Sequence, residues 1–76
     1  MFTSIANKFI VRASFYDEAN ELVAITKEFD YLNGAINEYK HMTNYCTNYL
    51  KWIVTLVVID TVNSVSLVID SEGYLD

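Results

Sequence analysis

The chain has no proline and only two glycines among its 76 residues. That excludes a flexible linker, a glycine-rich phosphate loop and a low-complexity tract. A single cysteine, Cys46, excludes an intrachain disulfide and makes a thiolate-based metal site improbable, and it suits a reducing compartment. Basic groups are also scarce. Five against ten acidic ones give a net charge of −5, a balance that repels phosphate backbones and argues against direct nucleic-acid binding.

A long hydrophobic run is missing as well. The most apolar stretch, "KWIVTLVVIDTVNSVSLVID", reaches from Trp52 only to Ile59 before Asp60 interrupts it, whereas a spanning helix needs about 20 apolar residues. Holding Asp60 at mid-bilayer would cost about 2.5 to 3.5 kcal/mol, so no membrane span is expected. The start, "MFTSIANKFIVRAS", has no charged leader followed by an apolar core and a small-residue cleavage site, and a cytoplasmic location is expected.

What is present reads as one globular domain over residues 1–76. Hydrophobic residues make up 53% and charged ones 20%, a balance that permits a core and argues against disorder. A chain this short buries only about 60% of its unfolded surface, so a second copy or a partner would add materially to its stability.

Ile53, Val54, Thr55, Val57, Val58 and Ile59 are β-branched, which favours a pleated backbone. The runs "IVTLVVID" and "VSLVID" flank "TVNS", where Asn63 can take a left-handed conformation, and together they predict a hairpin. Upstream, "KFIVRASFY" sets Phe9, Val11, Ala13 and Phe15 on one face at period two. "DEAN" supplies a turn and "ELVAITKEF" a return strand. Residues 15–29 also fit a helical period with "SFYD" as a capping box, an alternative that gives β-α-α-β-β.

Between the hairpins, from Tyr31 to Trp52, Leu32, Ala35, Ile36, Tyr39, Met42, Thr43, Cys46, Tyr49 and Leu50 share one helical arc, with Asn33, Asn37, Lys40, Asn44, Asn48 and Lys51 opposite. Asp30 is placed to cap this helix. The expected fold is α+β, in the order β-β-α-β-β, with an antiparallel sheet of about four strands and one long amphipathic helix across one face. Residues 53–59 are apolar on both faces, a pattern normal for doubly covered strands. The second face is therefore expected to meet the N-terminal segment with Phe2 and Ile5, a partner, or a second copy through Val54, Leu56 and Val58.

Catalytic motifs are not found. His41 lies on the polar arc with only Glu38 nearby, and Cys46 lies on the apolar arc, where a thiol behaves as a small hydrophobe. "DSEGYLD", with Asp70, Glu72 and Asp76 around Gly73, does not meet calcium-loop spacing. A non-enzymatic protein is expected, with no cofactor and no metal. Two surface features point to protein partners. Glu38, Tyr45 and Trp52 recur every seven residues along the border of the helix arcs, with Tyr31 and Tyr49 beside it, and tyrosine and tryptophan are favoured interface anchors. Acid crowds both hairpins: Asp17, Glu18, Glu21, Glu28 and Asp30 at the first, Asp60, Asp70, Glu72 and Asp76 at the second. If both turns met at one end they would form an anionic edge able to fill a basic groove.

In general type, a tiny proline-free acidic domain rich in tyrosine and asparagine resembles the accessory products of phages and other mobile elements, which include anti-CRISPR proteins and other inhibitors of host defence. That resemblance implies an inhibitor of a host nucleic-acid-targeting machine, with Asp17, Glu18, Glu21, Glu38, Tyr45 and Trp52 at the partner contact. The alternative is a homo-oligomeric structural or regulatory accessory protein, and a homodimer is expected in either case.

Overall fold

A computed structural model describes residues 7–74. Its elements are β1 (Asn7–Tyr16), β2 (Leu22–Phe29), α1 (Leu32–Cys46), β3 (Trp52–Asp60) and β4 (Val65–Tyr74). They make one antiparallel sheet of order β2-β1-β3-β4 with the helix on one face, the expected α+β arrangement. Residues 15–29 are strand, turn and strand rather than helix, because pairing Phe15 with Val23 and Ala13 with Ile25 puts their apolar groups on the face the helix covers. Phe2 and Ile5 lie outside the described residues.

The helix crosses from β2 back to β3, and β1 separates those two parallel strands. Its inner face carries Ala35, Tyr39, Met42 and Cys46, all buried, at the three- and four-residue spacing that stacks side chains along one side. Beneath lie Val11, Ala13 and Phe15 from β1 and Trp52, Val54 and Leu56 from β3, with Phe9, Val23, Ile25 and Phe29 packed at the margin. Full burial of a Val, Leu, Phe or Met side chain contributes about 1.5–3 kcal/mol, so these few residues hold the domain together.

The helix departs from expectation at both ends. Asp30 does not cap it. Its carboxylate accepts a hydrogen bond from Lys8 Nζ, and the N-cap position falls on Tyr31, which makes no side-chain cap. The helix also stops at Cys46 rather than running to Trp52. Thr47 Oγ1 donates to Asn44 O (2.7 Å) and Asn48 Nδ2 donates to Tyr45 O (3.0 Å), occupying the carbonyls that a further turn would use.

Two placements reverse the sequence reading. Val54 and Leu56 are 0% and 3% exposed and sit in the core under α1, with Val58 on the same side of β3, so these residues cannot form the self-association face. The opposite face, which none of the described residues covers, carries Ile53, Thr55, Val57 and Ile59 instead. The two hairpin turns also lie at opposite ends of the sheet, because Phe15 pairs with Trp52 while Asn7 pairs with Asp60. Asp17, Glu18 and Glu21 are at one end, and Glu28, Asp30 and Asp60 are at the other. No single acidic edge unites the turns. In the second turn Ser64, not Asn63, is left-handed (φ 55°); Asn63 instead donates to Asp60, through Nδ2 to Oδ2 at 2.8 Å.

Candidate functional site

The end of the sheet that carries the first turn gathers most of the expected contact residues. Asp17 builds that turn. Its Oδ1 accepts from the backbone N–H of Ala19 and of Glu21, each at 2.9 Å, and its carbonyl accepts from Asn20 N–H at 2.9 Å. Asn20 takes a left-handed conformation (φ 62°), which asparagine tolerates better than most residues. Asp17 is thus committed to the backbone, whereas Glu18 and Glu21 stand exposed on a fixed turn. Tyr16 N–H donates to Lys51 O at 3.1 Å, which ties the turn to the loop between α1 and β3.

That loop brings the aromatic groups. Once the helix ends, Tyr49 N–H donates to Cys46 O at 2.9 Å and the chain bends so that the Tyr49 ring stacks on Phe15, with centroids 4.3 Å apart and planes at 26°. Tyr45 meets Phe15 edge-on at 5.8 Å and 71°, both geometries that ring quadrupoles favour. The Tyr45 and Tyr49 hydroxyls are 3.1 Å apart. This hydrogen bond, followed by burial, the Tyr45 charge and the charges of Glu18 and Asp17, pushes the Tyr49 phenol up to about 12. The Tyr49 hydroxyl is therefore a neutral donor and acceptor at physiological pH, beside carboxylates.

An open cleft of about 330 Å³ runs between turn and loop, lined by Tyr16, Glu18, Asn20, Tyr49 and Leu50 among others. Leu50 is 91% exposed at its rim. Lys51 Nζ lies 6.0 Å from the Tyr16 ring centroid, at the outer limit of a cation–π contact. The surface combines two exposed carboxylates, phenol groups and an exposed leucine within one small area.

Four of the six expected contact residues, Asp17, Glu18, Glu21 and Tyr45, reach the surface of this end. Glu38 does not. It points inward from α1 and its Oε2 lies 3.0 Å from Lys27 Nζ on β2, an ion pair joining helix and sheet. Trp52 does not either: it stands opposite Phe15 at this end but is 7% exposed as the first residue of β3 and offers no contact surface. The seven-residue row of Glu38, Tyr45 and Trp52 exists only if the helix continues to Trp52. Tyr16 and Leu50 were not legible as contact residues, since only the sheet register and the post-helix bend bring them to the same end.

The remaining candidate groups have ordinary surroundings. His41 is exposed on the outer side of the helix. Cys46 is fully buried and burial pushes its thiol up, away from the reactive thiolate. Among the described residues no cluster of three or more His, Cys, Asp or Glu side chains is placed to hold a metal ion, and no helix is long and apolar enough to cross a membrane. No family model, curated protein or solved structure matches the chain.

Proposed function

We propose that this chain is a small, acidic, non-enzymatic protein-binding module whose contact is the turn-and-tyrosine end, and that its target is a basic host protein that handles nucleic acid. The observation that carries this reading is the juxtaposition of Glu18, Glu21, Tyr45, Tyr49 and Leu50 at one end of the sheet. Carboxylates at a rim speed encounter with a basic partner. Tyrosines contribute large contact area with little rotamer entropy to lose, and an exposed leucine supplies a group to desolvate. The inhibitory version follows from chemistry: a rigid anionic knob can occupy a groove that evolved for a phosphate backbone.

The test is capture of host proteins on the immobilised domain, washed at about 0.15 M and then about 0.5 M salt, where surface charge is largely screened. The reading expects one nucleic-acid-handling protein that salt releases. It also expects capture to be lost with Glu18→Lys plus Glu21→Lys, and to weaken with Leu50→Ser without a change in salt dependence. Capture that is indifferent to all three substitutions would remove this end from consideration.

A second reading, a self-associating structural or regulatory protein, is favoured by a different observation: none of the described residues covers the face of the sheet opposite the helix.

A further inference from the structure

The strand register defines the bare face, the one that no described residue covers, residue by residue. It carries Lys8, Ile10, Arg12, Ser14 and Tyr16 of β1, Leu22, Ala24, Thr26 and Glu28 of β2, Ile53, Thr55, Val57 and Ile59 of β3, and Ser66, Val68, Ser71 and Gly73 of β4. Its centre is a shallow depression lined by Ile10, Arg12, Val57, Ile59 and Val68, with Thr55 and Ser66. Val68 is 56% exposed, and Ile10, Val57 and Ile59 are only partly buried. Two features say what fits here.

The first is charge. The whole chain carries −5, yet among the described strand residues Glu28 is the one carboxylate on this face, against Arg12 and Lys8. Lys8 is already paired with Asp30 at the margin. Two copies would repel through most of their surfaces, but not through this one. Arg12 and Glu28 belong to neither ion pair found among the described residues, so each face offers one unpaired cation and one unpaired anion.

The second is symmetry. An isologous dimer requires a patch that complements itself about a two-fold axis. On an ideal sheet, with strands about 4.8 Å apart and residues about 3.3 Å apart, the two-fold that sets Arg12 opposite Glu28 of a second copy is fixed. It runs diagonally past Val57 and Ile10. The same operation brings Val57 to within about 3 Å, in projection, of its own symmetry mate and lays Ile59 over Val68. The strands then cross at about 70°, nearer the orthogonal than the aligned class of sheet packing. One operation satisfies both the charges and the apolar centre.

From these two features we infer that the bare face is a homodimer interface, in which two copies pack sheet on sheet with reciprocal Arg12–Glu28 pairs around a centre of Val57, Ile59 and Val68. Sheets of four strands, about 19 Å wide, overlap at that crossing angle over about 400 Å² of each copy. The pair then buries about 800 Å², below the range for stable specific interfaces and fit for a weak, transient contact. Association is therefore weak, concentration-dependent from micromolar to millimolar protein rather than obligate.

Sedimentation equilibrium over about 10 µM to about 1 mM covers that range. Wild type is expected to pass from 8.7 kDa to twice that mass. Arg12→Glu and Glu28→Arg should each weaken association by about tenfold or more, since each sets like charges face to face, and the double substitution R12E/E28R should restore it. Val57→Asp should leave monomer at every concentration. All four variants are compared with wild type by far-UV circular dichroism, because the altered side chains lie outside the helix-covered core. A wild-type monomer throughout, failure of the charge swap to restore association, or a dimer that survives Val57→Asp, as pairing through the β4 edge would, overturns the proposal. None of these residues lies at the turn-and-tyrosine end, so the outcome is separate from that of the capture experiment.

Discussion

Strand β3 has two faces of similar apolarity and different surroundings. One presents Trp52, Val54 and Leu56 to the helix and is almost fully removed from water; the other presents Ile53, Thr55, Val57 and Ile59, each only partly buried. Composition does not separate these faces, because both are written in β-branched and aliphatic residues. What separates them is which strands lie beside β3. On the helix side β1 adds Val11, Ala13 and Phe15, a continuous apolar floor, while on the other side it sets the polar Arg12 and Ser14 beside Ile10. Coverage by the helix follows the floor that is apolar across two strands, not the strand that is apolar by itself.

The largest effect that tests this contrast comes from truncating the two faces in turn. Leu56→Ala removes a buried side chain and should cost about 2–5 kcal/mol, whereas Val57→Ala on the bare face should cost about 1 kcal/mol or less. Urea unfolding at a single low protein concentration measures both, since association would otherwise add to the apparent stability. Equal losses would mean that the bare face is as closed as the core even in the monomer.

A smaller effect separates the two hairpins. Gly73 sits opposite Ile53 on β4, and a Cβ there would lie 2.4 Å from Trp52 O and 2.7 Å from Ile53 Cα. Both obstacles are backbone, so Gly73→Ala must push β4 away from β3. The expected loss is about 1–3 kcal/mol, with amide exchange accelerating in β4 and β3 before β1 and β2. Uniform acceleration would show instead that the two hairpins open as one unit.

Much of this architecture was legible in the sequence, for reasons that can be named. Alternation in residues 8–16 and the dense β-branching of residues 53–59 announced the hairpins, and the spacing of Ala35, Tyr39, Met42 and Cys46 announced the buried side of the helix. The helix end was not legible. Tyr49, Leu50 and Trp52 happen to continue the helical arc, and the stop is made by two short polar side chains, Thr47 and Asn48, that bond backward to the last carbonyls. Face assignment in β3 was not legible because it depends on β1 being its neighbour. The same non-local fact sends the acidic turns to opposite ends and leaves only Asp17, Glu18, Glu21 and Tyr45 of the expected contact set together.

Within the covered side one polar atom stands out. Tyr39 is buried, and its hydroxyl has no hydrogen-bond partner among the described residues. Burial, with the charges of Asp70 and Glu72, pushes its phenol up. A buried hydroxyl without a partner is a cost, so Tyr39→Phe should raise the stability by up to about 1 kcal/mol. A loss of that size would show that the hydroxyl is satisfied by a bound water.

The smallest effect is the dependence of stability on pH, and its sign differs between the groups that hold their protons more tightly when folded and Asp60, which gives its proton up more readily. Cys46 and Tyr39, pushed up mainly by burial, and Lys8, pushed up by its hydrogen bond with Asp30, all hold their protons more tightly when folded. Each contributes stability that is complete below its ordinary value, 9.0 for the thiol, 10.0 for the phenol and 10.5 for the amine. That contribution is lost as pH rises through the shifted values. Asp60 is the opposite case: Asn63, through its side chain and then its backbone N–H, and then Val62 hold its carboxyl below 3.8, so its contribution is present above that value and lost as pH falls through the shifted one. The expected profile is flat between about pH 5 and 8 and declines on both sides. Cys46→Ala should delay the onset of the alkaline decline, while Asp60→Asn should reduce only the acid one. A Cys46→Ala profile with an unchanged alkaline onset would mean that the buried thiol does not report the covered side, and would assign the decline to Tyr39, to Tyr49 and to Lys8 at the rim.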